Sequence, residues 1–214
     1  MISRKFILWD VDTQADFMLP GGKLYVPGAE KLLPNLSRLT DAARHGHVFL
    51  VSSGDSHTLS DPELREWPQH CMRGTLGAGI VPETMTDRFF VVPNRPDAPL
   101  PARLADFHQA ILEKQTLDVF ENPNTDAALA RIGEFTDPDA EFIVFGVVTE
   151  FCVKAAVEGL LRRGRRVAIV TDAIETIKPE DGQRTLNRLR AAGAKLVSTN
   201  EILGQIENSV ALSA

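Results

Sequence analysis

The chain has 214 residues, of which 43% are hydrophobic and 24% charged, values that suit one globular domain over residues 1–214. Its formal net charge is −6 and its lysines and arginines form no long run, which argues against nucleic acid or an acidic membrane surface as a partner. No apolar segment approaches transmembrane length, no N-terminal signal is recognisable, and two cysteines make a poor disulfide framework, so we expect a cytoplasmic protein.

Short apolar runs alternate with helical patterns along the chain. The apolar runs predict strands near residues 6–9, 48–51, 89–92, 142–145, 167–170 and 195–197. Helical periodicity predicts helices near residues 28–44, 149–163 and 179–192. The segment 102–114 is either a helix or a strand at 108–113, and its periodicity does not decide between them. This alternation predicts a three-layer α/β/α fold with a six-stranded, mostly parallel sheet.

Reactive side chains follow three of the predicted strands. Asp12 comes after the first strand, Asp55 and His57 after the second, and Cys152 after the strand at 142–145. Because ligands bind beyond the carboxyl ends of parallel strands, we expect these side chains to lie at one edge of the sheet.

Cys152 lies where an apolar strand gives way to an amphipathic helix. With Thr149 as the helix N-cap, the thiol falls in the first turn, where unpaired amides and the helix dipole favour an anion. This placement predicts an unusually acidic thiol that acts as a nucleophile. The alternative is a small buried apolar residue, since free cysteines are commonly buried.

A second group of residues has the composition of a metal site. Asp55 and His57 are two positions apart, His70 follows 13 residues later, and Glu63 lies between them. Two imidazoles with carboxylates suit one divalent metal ion, for which zinc is the first choice and iron or manganese are alternatives. The competing interpretation is a hydrogen-bonded loop. Cys71 is expected to point away from His70 and to fill space.

The segment Asp10 to Phe17, DVDTQADF, carries three carboxylates, and Lys114 follows the uncertain segment. Each of these residues alone is more often a turn or surface residue. Next to a cysteine nucleophile, a carboxylate can accept the thiol proton and return it to a leaving amine, and a lysine can hold the two negative charges together.

Four motifs in order give the chain a family resemblance. They are VDTQADF at 11–17 with the following GGKLYVPGA, WPQHCMRGT at 67–75, and GVVTEFC at 146–152. In these motifs the chain resembles the isochorismatase-like cysteine hydrolases, and among them the nicotinamidases, from Phe6 to about Val197.

The resemblance implies a role for each matched residue. It implies Cys152 as nucleophile, Asp12 as proton shuttle and Lys114 as the third catalytic residue, with a cis peptide bond between Val147 and Val148. It also implies an oxyanion hole from the backbone amides of Val148 and Cys152, a substrate ring between Phe17 and Trp67, and a metal held by Asp55, His57 and His70.

The chain departs from the nicotinamidase pattern in two places. A third histidine is absent from the metal loop, and Glu63 is its natural replacement. The segment after Lys114 reads QTLDVFEN, with Glu121 near the position of a pocket tyrosine.

The function expected from the resemblance is hydrolysis of a small amide through an acyl-cysteine, with nicotinamide as the leading substrate. Another small amide, or a ureido or carbamoyl compound, is the alternative. A binding protein without catalysis and a metal-free vinyl-ether hydrolase are hypotheses from other classes, against which the complete residue set speaks. The family further implies a homodimer or homotetramer.

Overall fold

The computed structural model describes residues 4–212, and its centre is one sheet of seven strands. The strands lie in the order β3-β4-β2-β1-β5-β6-β7, and all neighbouring pairs are parallel. Their bounds are β1 Arg4–Val11, β2 Phe49–Asp55, β3 Phe89–Val92, β4 Gln109–Lys114, β5 Thr136–Gly146, β6 Arg166–Ile174 and β7 Lys195–Val197.

Helices cover both faces of the sheet. Their bounds are α1 Ala15–Met18, α2 Leu33–Arg44, α3 Thr125–Gly133, α4 Lys154–Arg162, α5 Pro179–Ala191 and α6 Thr199–Ala211. One apolar cluster includes buried side chains of α3, α4 and α5, and the other includes those of α2 and α6. Because successive strand residues point to opposite faces, Trp9 joins the first cluster and Leu8 the second. The predicted three-layer α/β/α fold is confirmed.

The predicted number of strands is wrong by one, because the uncertain segment contains strand β4. This strand lies between β2 and β3 and pairs with both. Ala110, Ile111 and Leu112 are all buried, so the strand reads as a continuous apolar run without alternation. Such a run does not distinguish a buried strand from a buried helix.

Several helix boundaries also differ from the prediction. The first long helix begins with a 3-10 turn at Ala29–Leu32 before α2. Helices α3 and α6 were not predicted, although Ser198 and Glu201 form a capping box at the start of α6 that the sequence displays. Among the residues that the structure describes, no helix has the length and apolarity that a membrane crossing requires.

The middle of the sheet creates the edge at which polar side chains collect. Strands β4, β2, β1 and β5 are neighbours, and their carboxyl ends lead to Lys114, Asp55, Asp12 and the turn before Cys152. At the end of β5, Gly146 has φ of +111°, and a Cβ there would lie 2.1 Å from the Val11 carbonyl oxygen. Glycine therefore allows β5 to stay close to β1 up to this edge.

Candidate active site

Lys114 lies at the centre of a buried group of charges. Its side chain is 1% exposed, and its Nζ lies 2.8 Å from Asp12 Oδ2, 2.5 Å from Asp55 Oδ1 and 3.7 Å from Cys152 Sγ. Asp55 and Lys114 are directly paired in the register of β2 and β4. Burial opposes the charge on Lys114, but the carboxylates of Asp12 and Asp55 outweigh it and raise the pKa of the lysine.

Asp12 follows β1 with a φ of 51°, in the left-handed region that residues other than glycine rarely adopt. Ser53 donates a hydrogen bond from its Oγ to Asp12 Oδ1 at 2.7 Å, and Lys114 contacts the other oxygen. Burial raises the pKa of the Asp12 carboxyl, with Asp55 adding to the rise and Lys114 opposing it. Asp12 also interacts with the Cys152 thiol.

Cys152 is 7% exposed and lies in a π-helical turn, Thr149–Val153, that precedes α4. The Thr149 hydroxyl donates to the Glu175 carbonyl oxygen, so the prediction that Thr149 caps the helix is wrong. Burial raises the pKa of the Cys152 thiol well above its usual range, and the carboxylates of Asp12 and Asp55 add to this against Lys114. The prediction of an acidic thiol is therefore also wrong. A thiol with a raised pKa needs a neighbouring group that accepts its proton, and the Asp12 carboxyl is such a neighbour.

Asp55, His57, Glu63 and His70 form a second group, whose ligand atoms all lie within 4.8 Å of one another. The Nε2 atoms of His57 and His70 lie 3.7 and 3.6 Å from Asp55 Oδ2. Ligands bound about 2.1 Å from a tetrahedral zinc ion would be separated by about 3.4 Å, which is close to these distances.

The far nitrogens of both histidines are held by polar groups. His70 Nδ1 lies 2.7 Å from the Pro68 carbonyl oxygen, and His57 Nδ1 lies 3.3 Å from Asp61 Oδ2. When Nδ1 carries the proton, Nε2 presents a lone pair toward Asp55, and His57 Nε2 is buried without a hydrogen-bond partner. The donor set and this orphaned atom fit a divalent metal ion.

A narrow cavity leads to both groups of residues. Asp55, Glu63, His70 and Cys152 line its polar end. Its walls are apolar and are formed by Phe17, Leu24, Val26, Trp67, Leu117, Val148, Phe151 and Ile177. Glu121, expected near the substrate, is exposed and is not among the lining residues, whereas Leu117 is.

The chain matches the model of the isochorismatase domain over residues 7–201. It belongs to the isochorismatase family. As its sequence predicts, it is an enzyme, a hydrolase of this family. It is 26% identical to the nicotinamidase of Escherichia coli K12 over 87% of this chain and 91% of that protein. It is also 26% identical to the nicotinamidase/pyrazinamidase of Mycobacterium tuberculosis over 89% of this chain and 97% of that protein.

Solved structures of family members superpose on the same fold. The pyrazinamidase of Pyrococcus horikoshii, in complex with zinc, matches with a TM-score of 0.70 at 29% identity and covers 91% of this chain and 99% of its own. The N-carbamoylsarcosine amidase of Thermoplasma acidophilum matches with a TM-score of 0.69 at 26% identity and covers 91% of this chain and 96% of its own.

Relative to the family motifs, the structure adds supporting residues that sequence reasoning did not single out. Gln14 accepts from the Asp55 backbone amide at 2.6 Å and donates to the Asp55 carbonyl oxygen at 2.7 Å. Asp16 accepts from the Cys71 amide at 2.7 Å and so ties the loop that carries His70 to the first motif. Both lie in the polar segment after β1, and the density of amide and carboxyl groups there is the sequence feature that could have predicted their roles. No sequence feature indicated that Asp61 orients His57.

Proposed function

We propose that this hydrolase cleaves carbon–nitrogen amide bonds as a metal-containing cysteine amidase, with nicotinamide as substrate and nicotinate and ammonia as products. The observation that carries the proposal is the buried contact of Lys114 with Asp12, Asp55 and Cys152 at the polar end of an apolar cavity. A nucleophile, a proton acceptor and a cation that balances charge are the groups that acyl transfer to a thiol requires.

The reaction follows from the positions of Asp12 and Cys152. The Asp12 carboxylate accepts the thiol proton, and Sγ attacks the amide carbon. The carbon–nitrogen bond then breaks, and the Asp12 proton leaves with ammonia, which yields an acyl-cysteine. Asp12 next takes a proton from a water molecule that attacks the thioester, and returns this proton to Sγ as the carbon–sulfur bond breaks. The product leaves as a carboxylic acid, which loses its proton to solvent.

Lys114 keeps the Asp12 carboxylate in place through both halves of the reaction and offsets the negative charge that moves between carboxylate and sulfur. The backbone amides of Val148 and Cys152 are the proposed donors to the oxyanion, in a chain whose Val147–Val148 peptide bond is cis.

Asp55, His57, Glu63 and His70 would hold the divalent metal ion, for which zinc is our proposal. When bound, the ion supplies a positive charge that can orient a polar ring atom of the substrate or a water molecule.

The walls of the cavity favour an uncharged aromatic amide. Phe17 and Trp67 both line the cavity, and ring stacking contributes about 0.5–1.5 kcal/mol beyond burial. No lysine or arginine is among the lining residues, while Asp55 and Glu63 are, so an anionic substrate finds no cationic side chain on the walls. A ureido or carbamoyl compound remains the second candidate, because N-carbamoylsarcosine amidase shares the fold at 26% identity.

The test measures ammonia release from metal-loaded enzyme with nicotinamide, pyrazinamide, aliphatic amides and carbamoyl compounds. We expect Cys152→Ala to lower turnover by at least about 10³-fold, while the matched variant Cys71→Ala retains it. Elemental analysis should find one metal ion per chain and little in the His57→Ala, His70→Ala double variant. Turnover confined to carbamoyl compounds would contradict nicotinamide, and full turnover by Cys152→Ala would contradict the mechanism.

A further inference from the structure

The outer wall of the cavity is formed in part by Ile177. This residue belongs to the short loop between β6 and α5, residues 175–178. Its side chain lines the cavity with Leu117 and Phe151 and is 44% exposed. An apolar side chain that is half open to solvent has few neighbours to hold it, so its position depends on its backbone.

That backbone is held by the residue two positions before Cys152. Glu150 is buried, and its Oε1 accepts from the amides of Ile177 at 3.0 Å and Lys178 at 3.1 Å. Its Oε2 accepts from the Thr176 hydroxyl at 2.6 Å. One carboxylate thus binds three consecutive residues of the loop.

The neighbour of Glu150 binds the same loop. Thr149 donates to the Glu175 carbonyl oxygen from its amide at 2.8 Å and from its hydroxyl at 2.7 Å. Helix α5 packs so closely against the loop that a Cβ at Gly182 would lie 2.6 Å from Thr176 Oγ1. The loop is therefore fixed between the nucleophile turn and α5, and Ile177 has a defined place relative to Cys152.

We infer that Glu150 is a positioning residue for substrate specificity, which holds Ile177 against the ring of the bound amide. The inference rests on the proposed function, because it needs a substrate with a ring in this cavity. It assigns the effect of Glu150 to the reach of its side chain and not to its charge.

Two substitutions separate reach from charge. Glu150→Gln keeps the length of the side chain, so Oε1 can still accept from the two amides. Its Nε2 can donate to Thr176 Oγ1, because the Thr176 hydroxyl proton can turn to the Lys178 carbonyl oxygen at 3.1 Å. Glu150→Asp keeps the charge but is shorter by one methylene group, so it cannot hold both amides.

We expect Glu150→Asp to raise KM for nicotinamide about 5- to 10-fold with kcat within about twofold, the pattern of lost uniform binding. Glu150→Gln should keep both constants within about twofold of wild type. For acetamide, which has no ring, neither variant should change KM by more than about twofold. A fall in kcat in Glu150→Gln, with Glu150→Asp close to wild type, would instead show that the charge acts on Cys152, and would overturn the inference.

Ile177→Ala tests the other end of the contact. It should raise KM for nicotinamide as much as Glu150→Asp does, and the double variant should be no worse than either single one, because both act on the same wall. Multiplied effects in the double variant would mean that Glu150 does not act through Ile177.

Hydrogen exchange of the backbone separates failure of this inference from failure of the proposed function. The amides of Ile177 and Lys178 should exchange at least about 10-fold faster in Glu150→Asp and near the wild-type rate in Glu150→Gln. Unchanged exchange of these amides in Glu150→Asp would show that Glu150 does not hold the loop, and would refute the inference whatever the substrate. If the wild-type enzyme hydrolyses another amide but not nicotinamide, the proposed substrate is refuted. If it then prefers amides without a ring, the role of Ile177 is refuted as well.

Discussion

Replacing the buried Lys114 by methionine tests the charge arrangement at the centre of the site. Methionine has a similar length but no charge, so Asp12 and Asp55, at 1% and 4% exposure, lose the cation between them. Breaking a buried ion pair from one side costs about 3–5 kcal/mol of unfolding free energy, because the partner charge stays buried and uncompensated. We expect Lys114→Met to lose an unfolding free energy in this range and to lose turnover.

A second substitution shows whether the loss comes from uncompensated carboxylates. Asp12→Asn in the Lys114→Met background removes one of the two negative charges, so the double variant should be more stable than the sum of the single effects by about 1–3 kcal/mol. Urea unfolding at equal metal content measures all three variants, with the exposed Lys31→Met as control. Additive losses, or a loss below about 1 kcal/mol for Lys114→Met, would refute the reasoning.

Two further predictions concern other buried sites. Burial raises the pKa of Asp10 from 3.8 to about 7, so this carboxyl holds its proton in the folded state and stability falls as pH rises from about 4 to 7. The unfolding free energy of Asp10→Asn, measured relative to that of wild type by urea unfolding, should therefore rise by about 2.5 kcal/mol from pH 5 to pH 8. The same free-energy difference at both pH values would contradict this prediction. Gly159→Ala should destabilise by about 1–3 kcal/mol, because its Cβ would lie 2.1 Å from the Phe120 ring. Gly204→Ala, within α6 and facing open space, should instead stabilise by up to about 1 kcal/mol, and equal effects of the two on Tm would refute the packing argument.

The sequence was sufficient to place reactive residues at one edge of the sheet. Asp12, Asp55 and Cys152 each follow an apolar run, and parallel strands bring such positions to the same side whatever their order. The order itself depends on pairing between distant segments. The contact of Lys114 with Asp55 arises from the register of β2 and β4, and β4 was the segment whose periodicity did not decide between helix and strand.

Electrostatic properties of the site were the least predictable from local sequence. The acidic thiol was expected from the position of Cys152 at a helix start, but burial and two carboxylates from other strands dominate its pKa. Those terms depend on tertiary contacts at distances of a few ångströms. The same limit applies to Glu121, which is exposed at the end of a 3-10 turn, Val119–Glu121, that its spacing to Lys114 did not predict.

Asp55 joins the two halves of the site through its two oxygen atoms. Oδ1 contacts Lys114, while Oδ2 faces His57 and His70. Although burial opposes its charge, the Lys114 ammonium holds the pKa of Asp55 well below its usual range. Because one carboxylate serves both groups, a substitution of Asp55 disturbs the proposed metal ligands and the partner of Lys114 together. The effect on metal binding is therefore tested by substitutions of the histidines. The effect on the proposed nucleophile is tested by substitution of Lys114.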